Sequence, residues 1–98
     1  MNKQLDPSHH RLFEAVLSLK TVEECAAFFE DICTVKELNA LAQRLEVAAR
    51  LDAGGNYNAV CEETGASTAT ISRVNKCLLY GSGGYRTVLD RLNKEENP

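Results

Sequence analysis

The stretch GASTATISRV, residues 65–74, places one glycine and a run of small hydroxyl residues between two segments with helical patterns of apolar residues. A helix-turn-helix needs a small residue in its first helix, a glycine four residues later, and a branched apolar residue six residues further on. Cys61, Gly65 and Ile71 have this spacing. The glycine can adopt the left-handed turn, and the isoleucine can hold the second helix against the first. The stretch therefore predicts a helix-turn-helix over about residues 57–79.

Small polar residues occupy the side of the second helix that its apolar positions leave outside. Val60, Ala66 and Val74 supply the other inward positions, so the outer N-terminal end carries hydroxyl and methyl groups. Hydroxyls can bond base edges or phosphates, and methyl groups can touch thymine. The alternative is an αα-hairpin with a merely solvated face, although such faces more often use Glu, Lys and Gln, which form helices better. The predicted DNA-contacting residues are Ser67, Thr68, Ala69, Thr70, Ser72, Arg73 and Lys76.

The rest of the chain also has helical periodicity, and no stretch alternates as a strand would. Asp6-Pro7 predicts the start of a first helix, and Thr21 with Glu24 and Thr34 with Glu37 form capping boxes that open a second and a third. The third helix is expected to run to about Ala53. Its predicted inward residues are Leu38, Leu41, Leu45, Ala48 and Ala49. We therefore expect an all-α fold of six helices, forming one domain over residues 1–98.

The charge distribution favours a nucleic-acid contact at one end of the chain. The 98 residues carry a net charge of −3, which argues against a wholly basic nucleic-acid binder. Residues 1–64 hold six Lys/Arg against eleven Asp/Glu, whereas residues 65–98 hold five Lys/Arg against three Asp/Glu. An acidic body with a locally basic C-terminal part suits a DNA reader with one contact face. It also suits many proteins that bind no nucleic acid.

Several classes of function are excluded by what the sequence lacks. There is no apolar run long enough to span a membrane and no secretory leader core, so we expect a cytoplasmic protein. The four cysteines form no CxxC pair and fall at apolar helical positions, where small buried side chains in a reducing compartment are expected. The adjacent His9 and His10 have no nearby cysteine, so no metal site is expected. No catalytic set or phosphate-cradling loop is visible, so we expect no enzyme.

Two segments resemble the Trp repressor (TrpR) superfamily: ALAQRLEVAARLDAGG, residues 40–55, and ETGASTATISRVNKCL, residues 63–78. The fuller pattern over residues 12–85 is similar to its YerC/YecD-like branch. The resemblance implies six helices per chain in an intertwined homodimer, whose two helix-turn-helix units face successive major grooves. It also implies base-facing or phosphate-facing roles for Thr68, Ala69, Thr70 and Ser72.

The resemblance further implies a candidate ligand site. Two arginines hold the indole of the corepressor tryptophan in the repressor, and the matching positions here are Arg44 and Arg73. Other positions depart from the repressor: Val74 stands in place of a glycine, Cys77 in place of a serine, and Asp31 and Cys33 in place of a leucine pair. These departures argue against tryptophan. A different small-molecule corepressor, or none, is favoured, and no other cofactor is expected.

The leading hypothesis is a sequence-specific DNA-binding transcriptional regulator, acting as a repressor, that binds double-stranded DNA as a homodimer and is not associated with a membrane. Two alternatives stay open. The first is a structural or protein-interaction dimer that has lost DNA binding, motivated by the acidic total charge. The second is a sensor of a small metabolite other than tryptophan, using the two arginines.

Overall fold

The computed structural model describes residues 5–96, which form six α-helices and no strand. The all-α class predicted from the sequence is confirmed over this range, and the predicted domain limits, 1–98, reach beyond it at both ends. The helices are α1 (Pro7–Leu17), α2 (Val22–Ile32), α3 (Val35–Asp52), α4 (Tyr57–Thr64), α5 (Thr68–Tyr80) and α6 (Gly84–Glu96).

Polar caps start the helices where the sequence predicts them. Thr34 and Glu37 form a reciprocal capping box: the Glu37 amide donates to Thr34 Oγ1 at 3.1 Å, and the Thr34 amide donates to Glu37 Oε1 at 2.8 Å. The hydrogen bond from the Thr34 backbone lowers the pKa of Glu37. The side chains of Asp6, Thr21, Asn56 and Ser67 cap α1, α2, α4 and α5 respectively. Capping therefore fixes where five of the six helices begin.

Residues 1–38 form the first of two compact units, and the structure describes this unit from residue 5. The apolar positions of α1 and α2 lie on one side of each helix, yet no residue of either helix is buried in the described chain. Leu17 is 83% exposed and Val22 is 78% exposed. Phe28 and Phe29 meet edge to face, with ring centroids 5.6 Å apart. Several large apolar side chains of this unit are therefore exposed to solvent.

Residues 39–98 form the second unit, which holds the buried core of the described chain and is described to residue 96. Its core joins the second half of α3 to α4, to the turn that follows α4, and to α5 and α6. The buried residues are Val47, Ala48, Val60, Ala66, Ile71, Val74 and Leu89. All seven are apolar, so this core is held together by close packing.

The prediction for the inward face of α3 is partly wrong. Leu41 is 42% exposed and Leu45 is 38% exposed, although both were expected inward. Ala48 is buried as expected, and Val47, which was not expected inward, is fully buried. The reason is that burial changes along the length of α3. Leu41, Leu45 and Ala48 lie on one side of the helix, but only its second half packs into the core, while the earlier leucines line an open cavity described below.

Two groups of ion pairs tie the end of α3 to its neighbours in the second unit. Arg50 is paired with Glu63 of α4. Arg86 of α6 donates from Nη2 to Asp52 Oδ1 at 2.5 Å, and its Nη1 lies 3.1 Å from Asp90 Oδ1. The hydrogen bond from Arg86 lowers the pKa of Asp52, and the same bond raises the pKa of Arg86. Both α4 and α6 are thereby fixed to α3 by charge as well as by packing.

The expectation that all four cysteines are buried is wrong. Cys25, Cys33 and Cys61 are half-buried, Cys77 is exposed, and all four are free thiols. Cys77 lies three residues after Val74, slightly less than one helical turn, so its side chain is turned partly away from the core. It lies instead at the edge of the cavity beside α3. An apolar position in a helical pattern therefore identifies a side of the helix but not the depth of burial.

Candidate functional site

The turn between α4 and α5 has the geometry that the sequence predicts. Gly65 ends α4 with φ of 73° and ψ of 5°, in the left-handed region, and its amide donates to the Cys61 carbonyl at 2.9 Å. Gln43 of α3 supports the same corner, since its Nε2 donates to the Thr64 carbonyl at 3.2 Å. The chain then enters α5 through Ser67, whose Oγ accepts from the Thr70 amide at 3.1 Å. The helix-turn-helix predicted from the glycine spacing is present.

One side of α5 is committed to the core. Ile71 and Val74 are buried, and Leu78 is half-buried on the same side. These positions follow the spacing of one helix face. Cys61 of α4 is half-buried and packs against this core. The three residues of the predicted motif thus have the expected places: Cys61 beside the core, Gly65 in the turn and Ile71 buried.

The opposite side of α5 faces solvent and carries the predicted contact residues. Thr68, Ala69, Ser72, Arg73 and Lys76 are exposed, as is the capping Ser67. Thr70 differs because it is half-buried and lies at the edge of this face. We call the solvent-exposed side of α5, which carries Thr68, Ala69, Ser72, Arg73 and Lys76, the outward face.

The hydroxyl groups of this segment divide into two kinds. Those of Ser67 and Thr70 hydrogen-bond to each other at 3.1 Å, and Ser67 also caps the helix, so both serve the fold. Those of Thr68 and Ser72 have no hydrogen-bond partner within the described part of the chain. The last two hydroxyls are therefore free to bond a ligand.

The charge of the outward face comes from two cations. Arg73 and Lys76 are exposed and take part in no ion pair among the described residues. Their charges are consequently available to an anion such as a phosphate. No acidic residue lies between Gly65 and Asp90, so the face is locally basic although the chain is acidic.

Tyr80 belongs to the same face and was missed by the sequence analysis. Ala69, Arg73, Lys76 and Tyr80 follow one another at intervals of four, three and four residues, which places them on one stripe of the helix. Tyr80 is 81% exposed. Continuing the helical spacing beyond Lys76 would have found it.

A cavity of about 340 Å³ lies beside α5 in the second unit. Arg44 of α3 and Arg73 of α5, the two residues singled out for a ligand role, both line it. The remaining lining residues are Leu41, Leu45, Val74, Cys77 and Tyr85. Leu45, Cys77 and Tyr85 also line an adjoining, mainly apolar groove of about 590 Å³ between α3, α5 and α6. The two arginines are thus brought together at one end of an apolar concavity.

Other kinds of site have no counterpart in the described part of the chain. From residue 5 to residue 96, no three His, Cys, Asp or Glu side chains are grouped closely enough to hold a metal ion. Over the same range, no helix has the length and apolar character needed to cross a bilayer.

Comparison with known proteins places this arrangement in a family. The model of the Trp repressor protein family matches residues 8–93. The chain belongs to the Trp repressor family. The uncharacterized protein YerC of Bacillus subtilis (strain 168) is 53% identical over 94 residues, covering 96% of this chain and 86% of that protein. The resemblance drawn from residues 40–55 and 63–78 is thereby confirmed.

Solved structures of Trp repressor-like proteins share the fold. A TrpR-like protein from Eubacterium eligens ATCC 27750 superposes with a TM-score of 0.87 at 50% identity, covering 90% of this chain and 91% of that one. A proposed Trp repressor from Staphylococcus aureus also gives a TM-score of 0.87, at 46% identity, covering 91% of this chain and 89% of that one. The six-helix TrpR-like fold is therefore established for this chain.

Proposed function

We propose that this protein is a sequence-specific DNA-binding transcriptional regulator, acting as a repressor through the helix-turn-helix of α4 and α5. The observation that carries the proposal is the outward face of α5. The helix is held against the core by buried Ile71 and Val74. Its outward face presents small hydroxyl and methyl groups together with two cations that form no ion pair among the described residues. Such a side fits a major groove, where hydroxyls, methyls and phosphate-binding cations are used. Membership of a family of regulators supports it.

The contact set of the proposal follows from exposure. Base contacts are assigned to Thr68, Ala69 and Ser72, and phosphate contacts to Arg73 and Lys76. Ser67 and Thr70 contribute by holding the first turn of α5, because their hydroxyls are engaged with each other. In this proposal the first turn of α5 lies near the groove, so a phosphate can approach the backbone amides at the N-terminus of α5.

The regulator acts as an intertwined homodimer of single 1–98 domains in this proposal. The support is the apolar surface that the first unit leaves exposed, including Leu17, Val22 and Val35. Burying one such side chain contributes roughly 1.5–3 kcal/mol, so a chain that leaves many of them in water gains from association. A second copy supplies the same face by symmetry. DNA binding by such a dimer takes place in the cytoplasm, without a membrane or an enzymatic step.

The experiment is selection from a random duplex library at about 0.1 M salt, where specific complexes survive counterion competition. We expect enrichment of a palindrome whose half-sites lie about one helical turn apart. Ser72→Glu adds one negative charge to the outward face and should abolish binding. Thr87→Glu adds the same charge at an exposed position of α6 and should leave binding intact. Binding by the Ser72→Glu variant at wild-type strength would refute the proposal.

Enrichment of no duplex, with or without metabolites, would favour the structural or protein-interaction dimer instead. The observation on its side is the net charge of −3 with only two cations on the outward face. Mass measurement would separate this outcome from failure to fold, because an interaction dimer keeps its dimeric mass.

A second candidate function, control by a small effector, is favoured by the cavity that holds Arg44 and Arg73. Two guanidinium groups beside an apolar groove suit a carboxylate or another anion with an apolar part. The buried branched side chain of Val74 and the thiol of Cys77 in the lining make tryptophan the disfavoured ligand. A thermal-shift screen of carboxylic acids and amino acids tests it, since a ligand at 100 times its Kd stabilises by about 2.7 kcal/mol. Stabilisation should be lost in Arg44→Gln.

A further inference from the structure

We propose that Tyr80 is a DNA contact at the far end of α5, its phenolic hydroxyl donating a hydrogen bond to a backbone phosphate at the rim of the major groove. The inference rests on the proposed function, because it assigns a further contact to the same helix. It adds a neutral phosphate contact that lies beyond the helix N-terminus.

The first argument is position. Tyr80 is the last residue of α5 and continues the stripe of Ala69, Arg73 and Lys76. Tyr80 lies eleven positions after Ala69, which corresponds to roughly 16 Å along the helix axis. The major groove is about 12 Å wide, so a helix whose first turn touches bases carries its third turn to the groove edge, where the phosphates lie.

The second argument is the lack of a structural role. Tyr80 is 81% exposed and its neighbour Leu79 is 61% exposed. The Tyr80 hydroxyl has no hydrogen-bond partner in the described part of the chain. A tyrosine in such surroundings contributes little to folding, although it carries a large rigid ring with only two side-chain torsions. Its exposed hydroxyl is available to a ligand without loss of any internal bond.

The third argument is charge. The outward face has only Arg73 and Lys76 as cations, and the chain as a whole carries −3. Further contacts to phosphates must therefore come largely from neutral donors, and tyrosine hydroxyls are among the groups that bond phosphate oxygens. A neutral donor adds to the fit on DNA without adding to the salt dependence.

The test measures binding to the duplex selected by the wild-type protein. Tyr80→Phe removes only the hydroxyl and should weaken binding about 10- to 150-fold for each chain, the range for one hydrogen bond to a charged group. The slope of log affinity against log salt should not change. Lys76→Gln should reduce that slope by about one for each chain. Thr87→Val removes a hydroxyl from an exposed position of α6 and should leave DNA binding at the wild-type value.

A scan with methylphosphonate linkages locates the contact. At one position in each half-site, the neutral linkage should weaken the wild-type complex but weaken the Tyr80→Phe complex no further. Such non-additive effects are expected only when the hydroxyl and that phosphate interact.

Three results would overturn the inference. Wild-type affinity of Tyr80→Phe, with Ser72→Glu abolishing binding, would reject the Tyr80 contact and leave the proposed function standing. A fall from dimer to monomer mass in Tyr80→Ala would show that the exposed Leu79–Tyr80 pair contacts a second copy instead. Absence of duplex binding by the wild type would remove the proposed function and this inference together.

Discussion

Replacing Gly65 by alanine tests whether the turn depends on backbone conformation alone. Gly65 has φ of +73°, and a Cβ built there meets no atom within 4 Å. The substitution therefore adds strain of about 1–2 kcal/mol from the left-handed conformation, with no clash. Lower freedom of the unfolded chain offsets roughly 0.4–1 kcal/mol. We expect a net loss of about 1 kcal/mol, which lowers the Tm of a domain of this size by about 4–8 °C.

The matched control is Gly84→Ala. A Cβ at Gly84 also meets nothing within 4 Å, but Gly84 does not have a positive φ and begins α6. We expect this variant to be as stable as the wild type, or more stable by up to about 1 kcal/mol. Gly65→Asn should lie between wild type and Gly65→Ala, since asparagine tolerates the left-handed region.

The assay is urea and thermal unfolding followed by circular dichroism at one fixed protein concentration, because association would shift the midpoint with concentration. Gly65→Ala and Gly84→Ala with equal stability would refute the reasoning, since the two positions differ in backbone conformation and not in available space. A loss far above 2 kcal/mol in Gly65→Ala would also contradict it, because it would require a contact that is absent around Gly65.

Three further predictions concern the second unit. Ser67→Ala removes the cap of α5 and should cost about 1 kcal/mol in thermal unfolding, whereas Ser72→Ala should be near neutral; equal losses would contradict the capping role. Ile71→Val removes one buried methylene and should cost about 0.5–1.5 kcal/mol in urea unfolding, and no loss would contradict close packing there. Asp52→Asn removes the ion pair with Arg86. It should cost only about 0.5–1 kcal/mol in free energy of unfolding near pH 7, because solvent screens a pair whose arginine is half-exposed. Arg86 lowers the pKa of Asp52 in the folded protein. The stabilisation is therefore complete above the pKa of Asp52 in the unfolded chain, about 3.9, and is lost as the pH falls through its lower pKa in the folded protein. Urea unfolding from pH 7 to pH 2 checks the sign, and parallel curves for wild type and Asp52→Asn would contradict it.

The local features of the fold could be predicted because each depends on a few neighbouring residues. The spacing of Cys61, Gly65 and Ile71 predicted both the turn and the buried side of α5. The capping box of Thr34 and Glu37 likewise predicted the start of α3, since both of its hydrogen bonds close within one helical turn.

Depth of burial could not be predicted in the same way. The pattern of α3 put Leu41 and Leu45 on the same side as buried Ala48, but not how far along the helix that side stays covered. Cys77 was expected to be buried because its neighbours are apolar, yet it lies at a cavity edge. Burial depends on which elements lie opposite a helix face, and periodicity within one helix carries no information about them.

The outward face of α5 shows a third limit of prediction from sequence. Hydroxyl content identified residues 67–73, but the sequence could not separate hydroxyls that cap from those that are free. The bond between Ser67 and Thr70 makes that distinction. Tyr80 is neither small nor charged, so residue type did not identify it, although the helical stripe of Ala69, Arg73 and Lys76 continues to it.

The scarcity of cations on the outward face has a consequence for how such a protein would select its site. In the proposed dimer, Arg73 and Lys76 would supply two phosphate-binding cations per chain, and therefore about four in all, for a salt slope of roughly −4. Proteins with 6–10 phosphate contacts lose about 10³–10⁵ in affinity between 50 and 200 mM salt, and a slope of −4 corresponds to only about 10². Non-specific attraction of the proposed dimer to DNA would then be weak. Discrimination would rest on the proposed hydroxyl and methyl contacts of Thr68, Ala69 and Ser72, where a mismatched base pair costs about 1–3 kcal/mol. An acidic chain with a small polar recognition face is thus suited to low background occupancy of the genome rather than to high overall affinity.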